Sequence, residues 1–363
     1  MNKIAWWRTQ FGDEEIRIIT QSVNNGYISQ GTVTAEFEKQ IAEILGVPYV
    51  VATTSGSMAI LMALIASGVG PGDEIIIPNR AWIAAAHAPL LIGAKVILVD
   101  VENDRPVMDI EQLKNKITPK TKAIIVVHLN GRSVDIDAVN RIAEKNGLSV
   151  IEDAAQAFCS RNKNGMLGTQ SLAGCFSMSV PKLISTGQGG FVVTRNEVVY
   201  EKLKAIRTHG VSDVINVSYT HMGFNFKFND ILASIGIAQI KRLSEKILKV
   251  KAIYNRYKAS MHKFSFLKLI PVNVEIRELP LYVEVLCPER HRLIQFLSQH
   301  GIQARPLYPD LHRADYLCNK GYFPNSAIFG EQGLFLPCGP DQPIENIDRV
   351  IDVLNHYKSN GTN

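Results

Sequence analysis

From about Ser55 onward, apolar residues fall into short runs divided by Gly, Pro and charged positions. Residues 58–66 are rich in Ala, Leu and Met, which lose little side-chain freedom in a helix, and they predict one. Gly68-Val-Gly-Pro-Gly-Asp ends that run, and residues 74–78, with three consecutive Ile, predict a short buried strand. Residues 82–91 predict a helix, 95–100 and 122–128 strands, and the amphipathic stretch 136–145 another helix. Residues 149–153 and 190–194 add two more strands. Short β-branched runs alternating with helices describe an α/β domain whose mostly parallel mixed sheet is sandwiched by helices. The pattern changes near Leu243, where a charged helical stretch (244–262) leads to a strand (281–286) and two helices (289–300 and 344–356). The expected division is a large domain over residues 1–243 and a smaller C-terminal α+β domain over residues 244–363, with the N-terminal segment able to pack on the smaller one.

Composition narrows the class. Hydrophobic residues make up 46% and charged residues 20%, which excludes a disordered chain. The formal charge of +5 is spread without a run of like charges, which argues against a nucleic-acid surface. Five widely spaced cysteines form no Cys-x-x-Cys pair and no zinc pattern, so no metal is expected and the thiols read as reduced. No stretch reaches the roughly 20 apolar residues of a membrane span, and the first residues lack a signal-peptide core. The expectation is a soluble cytoplasmic protein.

Three segments carry candidate chemistry. Thr53-Thr-Ser-Gly-Ser-Met-Ala places small hydroxyl residues and Gly just before a predicted helix. A helix start offers unpaired N–H groups and the positive end of its dipole, which suits a phosphate; the same residues also make ordinary N-caps. Val150-Ile-Glu-Asp-Ala-Ala-Gln puts carboxylates at the end of a predicted strand, where open α/β sheets bind ligands. Either Asp153 holds a protonated cofactor ring nitrogen there, or Glu152 or Asp153 merely caps the next helix. In Cys175-Phe-Ser-Met-Ser-Val-Pro-Lys-Leu-Ile-Ser-Thr-Gly-Gln-Gly-Gly, Lys182 stands alone in an uncharged stretch. A lysine held among apolar neighbours loses proton affinity and becomes an amine nucleophile toward carbonyls.

Taken in order, Ser55-Gly-Ser, Glu152-Asp-Ala-Ala-Gln, Phe176-Ser-x-x-x-x-Lys and Thr186-Gly-x-Gly-Gly resemble the DegT/StrS-type sugar aminotransferases. These are pyridoxal-phosphate (PLP) enzymes of the aspartate-aminotransferase-like fold, fold type I. Gly26-Tyr-Ile-Ser-Gln-Gly, Gly70-Pro-Gly-Asp-Glu-Ile-Ile-Ile-Pro, Arg207-Thr-His-Gly and Gly223-Phe-Asn-Phe-Lys extend the resemblance along nearly the whole chain. It implies that Lys182 carries the cofactor as a Schiff base, Asp153 pairs with the pyridinium nitrogen and Gln156 lies beside the ring hydroxyl. Trp82 would stack on the ring, and Gly56, Ser57 and Ser177 would hold the phosphate. Asn225 would reach the phosphate from a partner subunit, making a homodimer the functional unit. Ser29 and His312 sit in segments that line the sugar-nucleotide side, and Arg132 and Arg313 are assigned to its diphosphate. Gln188, Lys227 and Arg132 depart from the commonest family residues.

The implied reaction is a two-half transamination. L-glutamate gives its amino group to the cofactor, leaving pyridoxamine phosphate. A nucleotide-linked keto-sugar, a 4-keto-6-deoxyhexose, then takes that group in surface-polysaccharide or glycoconjugate synthesis. Ketocyclitol aminotransferases are related alternatives. Keto-sugar dehydratases of the family carry His at the lysine position, so Lys182 argues against them, and an intact Lys182 and Asp153 argue against a non-enzymatic regulator. Gly68-x-Gly-x-Gly follows a helix and precedes a strand, the reverse of a dinucleotide fingerprint. His87, His209 and His221 read as structural.

Overall fold

A computed structural model describes residues 3–211, 215, 217–219, 222–319 and 321–359; His221 lies outside them. In chain order the elements are α1 (Asp13–Asn24), α2 (Thr32–Leu45), β1 (Tyr49–Thr53), α3 (Gly56–Ala66), β2 (Glu74–Pro78), α4 (Ala84–Leu91) and β3 (Lys95–Val99). Next come α5 (Ile110–Lys116), β4 (Thr121–Val127), α6 (Ile136–Asn146), β5 (Ser149–Asp153), a small hairpin of β6 (Arg161–Asn162) and β7 (Gly165–Met166), β8 (Ala173–Ser177), β9 (Gly190–Thr194) and α7 (Glu197–Arg207). The rest of the chain forms α8 (Asp230–Lys241), α9 (Leu243–Ser260), β10 (Lys268–Leu269), β11 (Val283–Leu286), α10 (Arg290–Gln299), β12 (Arg305–Pro306), α11 (Pro324–Gln332), β13 (Gly333–Leu336) and α12 (Ile344–Leu354).

The large sheet has seven strands in the order β1-β9-β8-β5-β4-β2-β3. Only β9 runs against the others, so the carboxyl ends of β1, β2, β4, β5 and β8 share one edge. Ile75, Ile76 and Ile77 of β2 are wholly buried. Each such side chain contributes about 1.5–3 kcal/mol through removal from water, which is why an unbroken Ile run forms a central parallel strand. A second, antiparallel sheet of four strands runs β10-β11-β13-β12.

Residues 4–9 strap the two sheets together. Ile4 bridges to Ile302 and Trp7 to Cys338. The Trp6 ring stacks on Tyr282 at 6.0 Å and packs on Phe335 at 5.7 Å.

One helix is shorter than its sequence pattern: α4 begins at Ala84 rather than at Trp82. Trp82 is thereby left on a loop, about half exposed. Strand β8, Ala-Gly-Cys-Phe-Ser, has no β-branched residue and carries no strand signal. Its Gly174 is demanded by packing, since a Cβ there would lie 1.8 Å from the Gly168 carbonyl oxygen. Among the described residues no helix is long and apolar enough to cross a membrane, and no group of His, Cys, Asp or Glu could hold a metal ion.

Candidate active site

A cavity of about 440 Å³ opens at the carboxyl edge of the large sheet, against the small sheet. Ser55, Gly56, Ser57, Trp82, Asp153, Gln156, Ser177 and Lys182 line it from the large sheet's side; Arg305, Tyr308 and Phe335 line it from the small sheet's side. Trp6 of the N-terminal strap completes the wall.

Lys182 lies on the loop after β8. Burial lowers its ammonium to about 8, against the pull of the Asp153 carboxylate. Its side chain makes no hydrogen bond or ion pair among the described residues. The carbonyls just before it are held from outside: Trp7 Nε1 (3.2 Å) and Thr9 Oγ1 (2.7 Å) donate to Val180, and the Tyr282 hydroxyl donates to Pro181 at 2.7 Å. A bare amine on a fixed backbone is thus presented to the cavity.

Asp153 ends β5. Burial raises its pKa, while the Ala155 N–H (3.0 Å to Oδ1), Lys182 and His128 oppose that shift. Its neighbour Glu152 is wholly structural, accepting from His128 Nε2 at 2.9 Å, Gly168 N at 2.8 Å and Gln170 N at 2.7 Å. The two readings open for this pair in the sequence therefore separate: Glu152 braces the fold, and Asp153 faces the cavity. Gln156 accepts from the Asn130 N–H at 2.9 Å, and Asn130 pairs with Tyr282 through both its side-chain atoms. Gln156 is thereby tied to the small sheet.

At α3, Ser55 caps the helix by accepting from Met58 N at 3.2 Å. Gly56 and Ser57, at the first two helical positions, face the cavity with N–H groups that the helix leaves unused. A Cβ on Gly56 would sit 2.8 Å from the Ser177 Cβ, so only Gly lets these walls close into a cradle. Ser177 and Ser179 add hydroxyls, 3.3 Å apart. N-cap and anion cradle coexist in one helix start. The Trp82 ring meets Tyr308 edge-on at 4.8 Å and leaves a face exposed. An anion cradle, a flat aromatic wall, a buried carboxylate and a deprotonation-prone lysine fit a phosphorylated pyridine aldehyde such as PLP.

Of the residues expected at the site, Gly56, Ser57, Trp82, Asp153, Gln156, Ser177 and Lys182 come together in the cavity. Arg132 is a correction. It is fully buried between the sheets, paired with Glu284 at 2.6 Å and donating to the Pro271, Ile270 and Leu129 carbonyls, so it cannot reach a diphosphate. Arg313 pairs with Glu331 on the surface at 2.9 Å, outside the cavity. His312 is tied to Asn79 through its backbone N–H, 2.9 Å from Oδ1, and through its ring Nδ1, 3.0 Å from Nδ2. Neither Arg313 nor His312 lines this chain's own cavity. Ser29 lies in a separate surface depression beside Lys204 and Lys227, and Asn225 is exposed away from this chain's own cavity. Sequence reasoning missed Arg305, Tyr308 and Phe335 as lining residues, and expected of the N-terminal segment that holds Trp6 only that it could pack on the smaller domain. Trp6 and Arg305 come together across some 300 positions, and only folding joins them.

The sequence model of the DegT/DnrJ/EryC1/StrS aminotransferase family matches residues 9–355. A GDP-perosamine synthase of Escherichia coli O157:H7 is 30% identical over 369 residues, covering 99% of this chain and all of that protein. The spore coat polysaccharide biosynthesis protein SpsC of Bacillus subtilis is 30% identical, with 94% of each chain covered. Among solved structures, S. venezuelae DesV in complex with a ketimine intermediate superposes with a TM-score of 0.92 at 26% identity, covering 99% of this chain and 100% of that one. The putative sugar aminotransferase Spr1654 of Streptococcus pneumoniae, solved in a PMP form, gives 0.92 at 25% identity with 97% of each chain covered.

Proposed function

Because this chain belongs to the DegT/DnrJ/EryC1/StrS aminotransferase family, we propose that it moves an amino group from L-glutamate to a nucleotide-linked 4-keto-6-deoxyhexose. The work would be done on pyridoxal phosphate held at Lys182, in the synthesis of a surface polysaccharide or glycoconjugate. The observation that carries this reading is one cavity holding Lys182 lowered to about 8, the Asp153 carboxylate and the α3 phosphate cradle. The relatives named GDP-perosamine synthase support the acceptor class. A family dehydratase with bound GDP-perosamine shares the fold (TM-score 0.88, 25% identity), but the lysine here favours amino transfer over water loss.

When bound, pyridoxal phosphate supplies a ring that draws off the electron pair left on a substrate carbon and, as pyridoxamine phosphate, stores the amino group between half-reactions. The protein does the rest. Gly56, Ser57 and Ser177 hold the phosphate, and Trp82 gives the ring a flat wall. Asp153 keeps a proton on the ring nitrogen, so electron withdrawal stays strong. Lys182 Nζ would take a proton from the substrate carbon bonded to nitrogen and return it to the cofactor carbon on the other side of that nitrogen, as a general base and then acid. Trp6, Tyr308 and Phe335 exclude water from that transfer.

A homodimer completes the site in this reading. Tyr27 and Ile28 are exposed apolar residues near Ser29, and Met222 and Phe224 are exposed beside Asn225. Such apolar surface suits burial against a second copy, with Ser29 and Asn225 carried toward its cavity. The free thiols suit a reducing cytoplasm.

The test is an absorption spectrum of wild type and Lys182→Ala, before and after L-glutamate. Wild type should show a visible cofactor band that glutamate converts to the near-ultraviolet pyridoxamine form. Lys182→Ala should lack the band. A wild type that stays colourless with added cofactor defeats the reading.

A further inference from the structure

The substrates of the proposed reaction are anions, and this chain's own share of the cavity offers them few cations. Arg305 of β12 is its only lining cation besides Lys182 among the described residues. It has no ion pair or hydrogen-bond partner through its side chain among those residues. The other arginines near the junction of the sheets are engaged: Arg80 with Asp310 at 2.8 Å, and Arg132 with Glu284 at 2.6 Å. Arg305 is held instead by an aromatic face, its guanidinium carbon 4.6 Å from the centre of the Trp6 ring. Stacking of this kind fixes the plane of a guanidinium while leaving its N–H edge free for two parallel hydrogen bonds. Trp6 is itself immobilised by Tyr282 and Phe335.

The phosphate end of the cavity is served by the neutral cradle of α3, so Arg305 is not needed there. Two anionic groups remain: the carboxylate of the amino donor and the diphosphate of the nucleotide-sugar. The donor's α-carboxylate is bonded to the carbon that exchanges its proton with Lys182, so its receptor must line the same cavity as Lys182. The diphosphate lies beyond a whole hexose ring from the reacting carbon and needs no such neighbour. We propose that Arg305, stacked on Trp6, is the residue that receives the carboxylate of the amino-acid donor and so selects it. This inference rests on reading the site as an aminotransferase. The proposal makes Trp6, at the other end of the sequence, a positioning residue for donor recognition.

The test uses the dimeric holoenzyme, with Arg305→Met to keep the apolar stem and remove the charge, and Arg305→Lys to keep charge without the fork. Three quantities are read: the dependence of the first half-reaction on L-glutamate in single-turnover absorbance, the affinity for unreactive glutarate by calorimetry, and the affinity for whichever of GDP, UDP or dTDP wild type binds. Arg305→Met should weaken L-glutamate and glutarate binding by about tenfold or more, with the limiting rate nearly kept, and Arg305→Lys should restore only part. Nucleotide affinity should hold. An unchanged visible band and melting temperature in both variants show that the site is still built. Glutarate and L-glutamate bound as in wild type overturn the proposal; a loss confined to the nucleotide would give Arg305 to the diphosphate instead. A wild type that never reacts with L-glutamate defeats the proposed function, whereas a reactive wild type matched by Arg305→Met defeats this inference alone.

Discussion

Lys182 shows how one residue's chemistry is set by what lies around it. Its amine sits at about 8 because burial penalises the charged form more than Asp153 supports it. The neutral, nucleophilic fraction therefore rises as pH climbs toward and past about 8, and falls tenfold per unit below it. Mixing apo-protein with pyridoxal phosphate across pH should show uptake accelerating up to about pH 8 and levelling above it, as followed by stopped-flow absorbance. A profile that keeps rising to about pH 10 would mean an ordinary solvated lysine. Lys182 was legible in the sequence because an uncharged run on both sides foretells such an environment. Arg132 was misread for the opposite reason. Its polar surroundings, Asn130-Gly-Arg-Ser, suggest a surface, and its partner Glu284 lies 152 positions away.

At the scale of elements, Arg132 belongs to the seam between the two sheets rather than to the chemistry. Its guanidinium meets Glu284 of β11 and the carbonyls of Ile270 and Pro271, with no solvent to take its place. Arg132→Ala would strand a buried carboxylate, and should cost about 3–5 kcal/mol in urea unfolding while leaving nucleotide affinity unchanged. Loss of nucleotide affinity without loss of stability would return it to the ligand. Elements with strong periodicity or unbroken apolar runs, such as β2 and α3, were readable. Strand β8 was not, because its small residues answer to the close passage of Gly168 rather than to any local preference. The cradle at α3 was readable as a helix start suited to a phosphate, and only the family resemblance joined Ser177 to it. That Ser177 closes against Gly56 is a fact about a strand end meeting a helix start, which the local pattern does not contain.

For the whole molecule, the proposed dimer would bury the exposed apolar residues that flank Ser29 and Asn225. A variant forced to the monomer by charged substitutions at Tyr27 and Phe224 should bind pyridoxal phosphate at least about tenfold more weakly, in equilibrium titrations paired with light scattering. A monomer with full cofactor affinity would remove Asn225 from the site. The large architecture was visible in the sequence as alternating elements. The cavity wall of Trp6, Arg305 and Phe335 was not, because it is assembled from both ends of the chain.

That wall has a consequence for how the protein is made. Ala5 accepts from the Gln342 side chain and Trp6 from the Cys338 N–H, bonds that span more than 330 positions. Trp7 and Thr9 secure the loop of Lys182 some 170 positions later. On the ribosome, residues 4–9 appear long before any of these partners, and must wait uncommitted while the large sheet folds. Contacts of such long sequence separation form late and slowly. The cavity is therefore sealed only after the small sheet has been synthesised, so a truncated or stalled chain carries Lys182 without the backbone hold that aims it.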